Sequence, residues 1–257
     1  MEVGLSMLHC LGEPFPNLCR RLEEAEVKFV ELVDDGWHRL NQERVEQLDE
    51  ISSSKGLTYT VHAPFANINI AAPAEDLRAF MLQRLEKTLA FAAALDCQLV
   101  VFHPGWRTGI SDFYPNLDWK ININSVHKLL EKSRDYGVRI AIENCPEPYG
   151  FVVKNVAQFS RFFKELGEDI GLVLDVGHSN IGRETDTFIK TFGKRIAHIH
   201  AHDNDGKHDL HWGVGDGTID WQQFVTNIKT MGFNEIIMIE SYSNIKKSIE
   251  TLRDAIT

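Results

Sequence analysis

Eight residues able to bind a metal fall within a 37-residue stretch: Asp175, His178, His200, His202, Asp203, His208, Asp209 and His211. They lie at the ends of two apolar, β-branched runs, in the segments LDVGHSN and IAHIHAHDNDGKHDLHWGVGDG. Imidazole nitrogens and carboxylate oxygens are the donors that Zn²⁺ and Mn²⁺ accept. A single histidine in a surface loop implies nothing. A set this dense is costly to bring together unless a cation compensates it, so the stretch is expected to bind metal.

The elements that must position these residues repeat one unit. Short, nearly continuous apolar runs at residues 3–8, 29–33, 58–61, 99–102, 139–142, 171–174, 196–199 and 235–239 read as eight buried strands. Helical spacing of apolar residues fills the intervals, at residues 18–25, 44–54, 77–95, 123–136, 156–166, 187–192, 224–231 and 245–256. SKGLTYT, DYGVRIA and TMGFNEI each place a glycine between helix and strand, the punctuation of a helix C-cap. Eight strand–helix units in 257 residues predict one (β/α)₈ TIM barrel, a single domain spanning residues 1–257.

In such a barrel the C-terminal strand ends ring one cavity, and seven runs in succession finish in an ionisable side chain. Glu31, His62, His103, Glu143, Asp175, His200 and Glu240 fill those positions, and from His62 onward they are spaced 41, 40, 32, 25 and 40 residues apart. The sequence therefore predicts that residues remote in the chain converge. For Glu31 two readings stay open, a site residue or a carboxylate capping the next helix.

Composition narrows the class of protein. The net charge is −10 with no Lys/Arg cluster, which weighs against non-specific nucleic-acid binding, although bound metal would add positive charge that the count omits. Cys10, Cys19, Cys97 and Cys145 form no CxxC pair and read as reduced thiols. The N-terminus has no basic region followed by a long apolar run, and no apolar run reaches the roughly 20 residues of a membrane span. The expectation is a cytoplasmic enzyme, with neither membrane nor protein partner evident.

The segments HAPF (62–65), FHPG (102–105), IEN (142–144), LDVGH (174–178), HAHDND (200–205), Asp209-x-His211, GVGDG (213–217) and IES (239–241) together resemble the xylose-isomerase-like TIM barrels. That superfamily includes endonuclease IV and sugar or sugar-phosphate isomerases and epimerases. The resemblance implies a site position by position. In the nuclease branch three zinc ions are held by nine side chains, and all nine have matching positions in this chain. His62, His103 and Glu143 would hold one ion. Glu143 would bridge to a second held by Asp175, His200 and Glu240, and His178, Asp209 and His211 would hold the third. Such a cluster suits metal-assisted hydrolysis of a phosphodiester, in abasic-site DNA or a smaller phosphorylated substrate, with Glu143, Glu240 and His178 at the chemistry. The isomerase branch implies one Mn²⁺, Co²⁺ or Mg²⁺ held by Glu143, Asp175, His200 and Glu240. There the two glutamates would also shuttle a proton between adjacent sugar carbons.

His62, His103 and the Asp209/His211 pair are surplus to a one-metal isomerase, which favours the hydrolytic reading. The nuclease branch usually carries an H-x-S-Y-L-type segment whose side chains enter DNA, whereas this chain has HAPFAN with Phe65 at the tyrosine position. The loop from His200 to Asp209 is short, and basic DNA-contacting loops are not evident, so these three departures point away from duplex DNA. Phe65, Trp106 and Trp212 lie beside ligands and are expected to stack on a base or sugar ring.

Overall fold

A computed structural model describes residues 1–257. Eight parallel strands close into a barrel in sequence order: β1 (Glu2–Ser6), β2 (Phe29–Val33), β3 (Thr58–His62), β4 (Leu99–Phe102), β5 (Arg139–Glu143), β6 (Gly171–Asp175), β7 (Ile196–Ala201) and β8 (Ile236–Ile239). β1 pairs with β8 through Val3↔Ile237 and Leu5↔Ile239, which completes the ring. The layer outside comprises α1 (Phe15–Glu23), α2 (Gln42–Lys55), α3 (Glu75–Ala94), α4 (Leu117–Tyr136), α5 (Val156–Leu166), α6 (Val176–Ile181), α7 (Thr185–Phe192), α8 (Trp221–Thr230) and α9 (Ile245–Ile256). This is the (β/α)₈ barrel that the repeating pattern predicts. No helix is long and apolar enough to cross a membrane, and all four cysteines are free.

Two apolar regions hold the barrel. The larger lies between sheet and helices, and its largest fully buried side chains include Phe159, Phe162, Phe188, Leu32 and Leu172. A separate small cluster of Leu99, Val101, Ala141 and Val173 fills part of the barrel interior. Side chains alternate along a strand, so Val101, Ala141 and Val173 share their face with His103, Glu143 and Asp175 two residues on. The same alternation that builds the interior therefore delivers the polar residues to its upper end.

Among the departures from the sequence expectation, three have a local reason. The first strand stops at Ser6, because Ser6 Oγ accepts from the Leu8 amide and the chain turns through Met7–Cys10 in a short 3₁₀ segment. Helix α4 starts six residues earlier than its apolar spacing suggests. Its first turns carry buried polar groups instead, with Asn122 accepting from the Gly105 amide at 2.8 Å and the Trp119 indole donating to Glu165 at 2.6 Å. Helix α6 is too short and polar to show periodicity. Asp175 starts it as N-cap, accepting from the His178 amide at 2.6 Å.

Candidate metal centre

Glu143, at the end of β5, is the hub of the site. Its Oε2 lies 3.4 Å from His62 Nε2, 3.2 Å from His103 Nε2 and 3.5 Å from His200 Nδ1, while Oε1 lies 3.3 Å from His178 Nδ1. Around it the donors fall into groups. His62, His103 and Glu143 form one; Glu143, Asp175, His200 and Glu240 a second; His178, His202, Asp209 and His211 a third. All nine ligands expected from the sequence lie within these three groups.

The donor geometry fits metal ions. Charge-assisted N–H···O bonds are usually about 2.7–2.9 Å long, and the nitrogen–oxygen separations around Glu143 exceed that. Two donors each about 2.1 Å from one tetrahedral ion stand about 3.4 Å apart, close to what is observed. Several of these atoms are buried and without a hydrogen-bond partner: Glu143 Oε2, Asp175 Oδ2, His200 Nδ1, both ring nitrogens of His202, and Asp209 Oδ1. A buried polar atom left unpaired costs about 1–3 kcal/mol, so a set of them facing one another is what divalent cations would satisfy.

Main-chain contacts set which ring nitrogen each histidine offers. The carbonyls of Ala63, Asn144 and Glu240 accept from Nδ1 of His62, His178 and His211 at 2.8, 2.8 and 2.7 Å, which leaves each Nε2 toward the site. His211 reaches its carbonyl with φ at +46°, a left-handed backbone uncommon outside glycine. Asn144 ties two strand ends together, its side chain accepting from the Asp175 amide at 2.8 Å and donating to the Asp175 carbonyl at 3.1 Å.

Glu31 does not cap a helix. It is wholly buried inside the barrel, with His200 Nε2 at 3.2 Å and His198 Nε2 at 3.4 Å, so His200 is held from below and presents Nδ1 to Glu143 and Glu240. His198 was hidden from sequence reasoning by its place in the middle of an apolar strand. In IAHIHAH, however, residues 198, 200 and 202 share one face by two-residue alternation, and that signal would have found it.

Other members of the 175–211 stretch have different places. The buried carboxylate of Asp203 accepts from the Asn204, Gly215 and Ile219 amides and from the Trp221 indole, so it shapes the loop after β7 rather than facing the metal groups. His208 is exposed and pairs with Asp205 at 2.8 Å. His202 is fully buried and belongs to the third donor group, outside the nine-ligand set.

A cavity of about 230 Å³ opens over His62, His103, Glu143, His178, Asp209, His211 and Glu240. Its walls include Phe65 and Trp106, with Tyr149, Phe151 and Tyr242, and no lysine or arginine. Trp106 packs on Phe151 with ring centroids 3.8 Å apart, and Tyr242 stacks on His211 at 4.7 Å. Trp212 is not part of these walls: its main chain bridges to Asp203 and its side chain is partly exposed elsewhere.

Protonation follows the same contacts. Burial lowers the His62 pKa, but the Glu143 carboxylate outweighs it and brings it to about 9. His211 also reaches about 9, with burial opposed by Asp209. Burial raises Glu240 to about 7, and it lowers His103 and His202, which favours their neutral form. Glu31 runs against its own burial: His200 and His198 hold it well below the ordinary carboxylate range.

The profile of the xylose isomerase-like TIM barrel family matches residues 19–255, and the chain belongs to that family. An uncharacterized protein of Methanocaldococcus jannaschii, MJ1614, is 35% identical over 255 residues, covering 98% of this chain and 95% of its own. A probable endonuclease 4 of Aquifex aeolicus is 24% identical over 213 residues, 76% of this chain and 70% of its own. Among solved structures, a D-tagatose 3-epimerase-like protein superposes with a TM-score of 0.93 at 28% identity, covering 100% of this chain and 97% of that one. The relatives thus include both hydrolytic and epimerase names on one barrel.

Proposed function

We propose that the protein is a metal-dependent hydrolase that cleaves a small phosphoester, with His62, His103, Glu143, Asp175, His178, His200, Asp209, His211 and Glu240 as ligands of up to three Zn²⁺ ions. The observation that carries this reading is Glu143, which belongs to two of the three donor groups, its Oε2 lying 3.4, 3.2 and 3.5 Å from the site-facing nitrogens of His62, His103 and His200. Divalent ions there would lower the pKa of water and neutralise charge on a phosphate and its leaving oxygen. The chain's own part is positioning and exclusion. Carbonyls fix the ring nitrogens, Glu31 orients His200, and Phe65, Trp106 and Phe151 wall the opening against bulk water.

Cavity and charge favour a small substrate. About 230 Å³ is below the 300–1,000 Å³ of common ligand pockets, and its walls carry no lysine or arginine. With a net charge of −10, duplex DNA would approach against repulsion. Zinc-loaded protein is expected to hydrolyse bis(p-nitrophenyl) phosphate or a small natural phosphoester faster than an abasic-site duplex. Inertness toward all of these would overturn the reading.

A second reading, sugar epimerisation or isomerisation with one Mn²⁺, Co²⁺ or Mg²⁺, is favoured by Glu143 and Glu240, which stand 3.5 and 3.4 Å from the same nitrogen, His200 Nδ1. The uncharged aromatic walls and the resemblance to a D-tagatose 3-epimerase-like protein support it as well. Incorporation of solvent deuterium into a ketose, read by mass spectrometry, would establish it in place of the first. An absence of exchange across a panel of ketoses would remove it.

A further inference from the structure

We propose that His202 is a further protein ligand, which closes the His178/Asp209/His211 group into a four-ligand centre whose ion is structural rather than substrate-binding. This rests on the reading that the group holds an ion. Four donor atoms, one from each of these residues, lie within 4.8 Å of one another. His202 is wholly buried, and neither of its ring nitrogens has a hydrogen-bond partner. Its Nε2 stands 3.1 Å from Asp175 Oδ1 and 3.7 Å from Asp209 Oδ1.

The surroundings are shaped to this ring. It stacks on His211 with centroids 3.8 Å apart, and a side chain at Gly177 would begin 2.0 Å from His202 Cε1, so only glycine fits at that point of α6. Burying an imidazole with two unpaired nitrogens is costly, and a cation between His202 and Asp209 would satisfy one of them. The contrast with the His62/His103/Glu143 group is informative. That group has three donors. Three protein ligands leave a coordination position for substrate or water, whereas four complete a tetrahedron. The closed ion would join α6 to the loop that follows β7.

The test uses the full-length wild-type chain, labelled with ¹⁵N-histidine and loaded with ¹¹³Cd²⁺. One cadmium is expected to show coupling to three histidine nitrogens, and His202→Gln to remove one of the three. Coupling to only two histidines, with the His202 ring proton-bonded to Asp175, would overturn the proposal and leave the metal centre standing. Absence of cadmium coupling to His178, His202 and His211 alike would overturn the proposal together with the third ion. Because the first measurement is made on the wild-type protein, the outcome does not depend on the variant folding.

Discussion

Glu31 Oε1 lies 3.2 Å from His200 Nε2, deep in the barrel and out of reach of any substrate. The contact joins β2 to β7 across the interior and decides which nitrogen of His200 faces Glu143 and Glu240. Orienting partners of this kind typically contribute about 10–100-fold in metal affinity. Glu31→Ala is therefore expected to weaken one bound ion by about that factor, measured by competition with a zinc chelator. Glu31→Gln keeps an acceptor while losing the charge, and should fall between. Equal affinities for all three proteins would remove Glu31 from the centre.

Glu143→Gln takes away the shared carboxylate while nearly preserving shape. Because Glu143 belongs to two donor groups, the variant should lose more than one equivalent of metal and reduce activity to background under either enzymatic reading. Elemental analysis beside a circular dichroism spectrum separates loss of metal from loss of fold. Retention of full metal content would show that Glu143 is not a bridge.

Much of this site is legible in the sequence because barrel geometry does the converging. His62, His103, Glu143, Asp175, His200 and Glu240 each end or follow a strand, and a closed parallel sheet brings strand ends to one rim whatever lies between them. Where the ligand sits in a loop, spacing alone carries less. Asp203 and Asp209 look equivalent in the chain, yet backbone amides and the Trp221 indole take the first, and only the second faces His178 and His211. Glu31 was ambiguous for a related reason: a carboxylate near a strand end can turn outward to a helix or inward to the barrel. Strand alternation resolves this only once the register is known. Tyr149, Phe151 and Tyr242 come from loops whose course no periodicity describes.

The protonation pattern sets how the metal-free protein responds to pH. His62 and His211, at about 9 when folded against about 6.5 unfolded, bind protons more tightly in the native state, as does Glu240 at about 7 against about 4.5. Stability falls with pH wherever the folded state holds more protons. The contributions from these groups are thus complete at low pH and lost in turn, Glu240 between about pH 4.5 and 7 and the two histidines between about 6.5 and 9. Asp209, held low by His178 and His211, acts oppositely and weakens the fold only at strongly acid pH. Metal must displace the same protons, so zinc affinity is expected to rise between pH 7 and 9, with proton release. Calorimetric titrations in buffers of different ionisation enthalpy measure it, and zinc binding without proton release would contradict the assignment.

Beside the rim, Arg84 makes two bonds to the buried carboxylate of Asp34, at 2.8 and 2.7 Å, and Thr88 adds a third at 2.7 Å. This pair fastens α3 to the C-terminal end of β2, where the Asp34 amide donates to the His62 carbonyl at 3.0 Å, but neither side chain belongs to a donor group. Removing one partner strands a buried charge, and Arg84→Ala should cost about 3–5 kcal/mol of stability. Metal content of the folded fraction should not change. Urea unfolding monitored by fluorescence gives the first quantity and elemental analysis the second.

His211→Ala separates the two enzymatic readings. His211 Nε2 is 3.3 Å from Asp209, its Nδ1 donates to the Glu240 carbonyl, and it takes no part in the Glu143/Asp175/His200/Glu240 group. In a polynuclear hydrolase the ion beside Asp209, without itself binding substrate, would hold Asp209 and the rim in place and add positive charge near the reacting phosphate, so its loss weakens transition-state stabilisation. A fall of about 100-fold in kcat/KM corresponds to about 2.7 kcal/mol, within what a metal ion supplies. A one-metal epimerase keeps its whole ligand set and should change by no more than a few-fold. Both activities are measured on the same preparation beside the wild type, with zinc and with Mn²⁺. A variant that hydrolyses normally while failing to exchange deuterium into a ketose would refute the assignment of the His211 ion to hydrolysis.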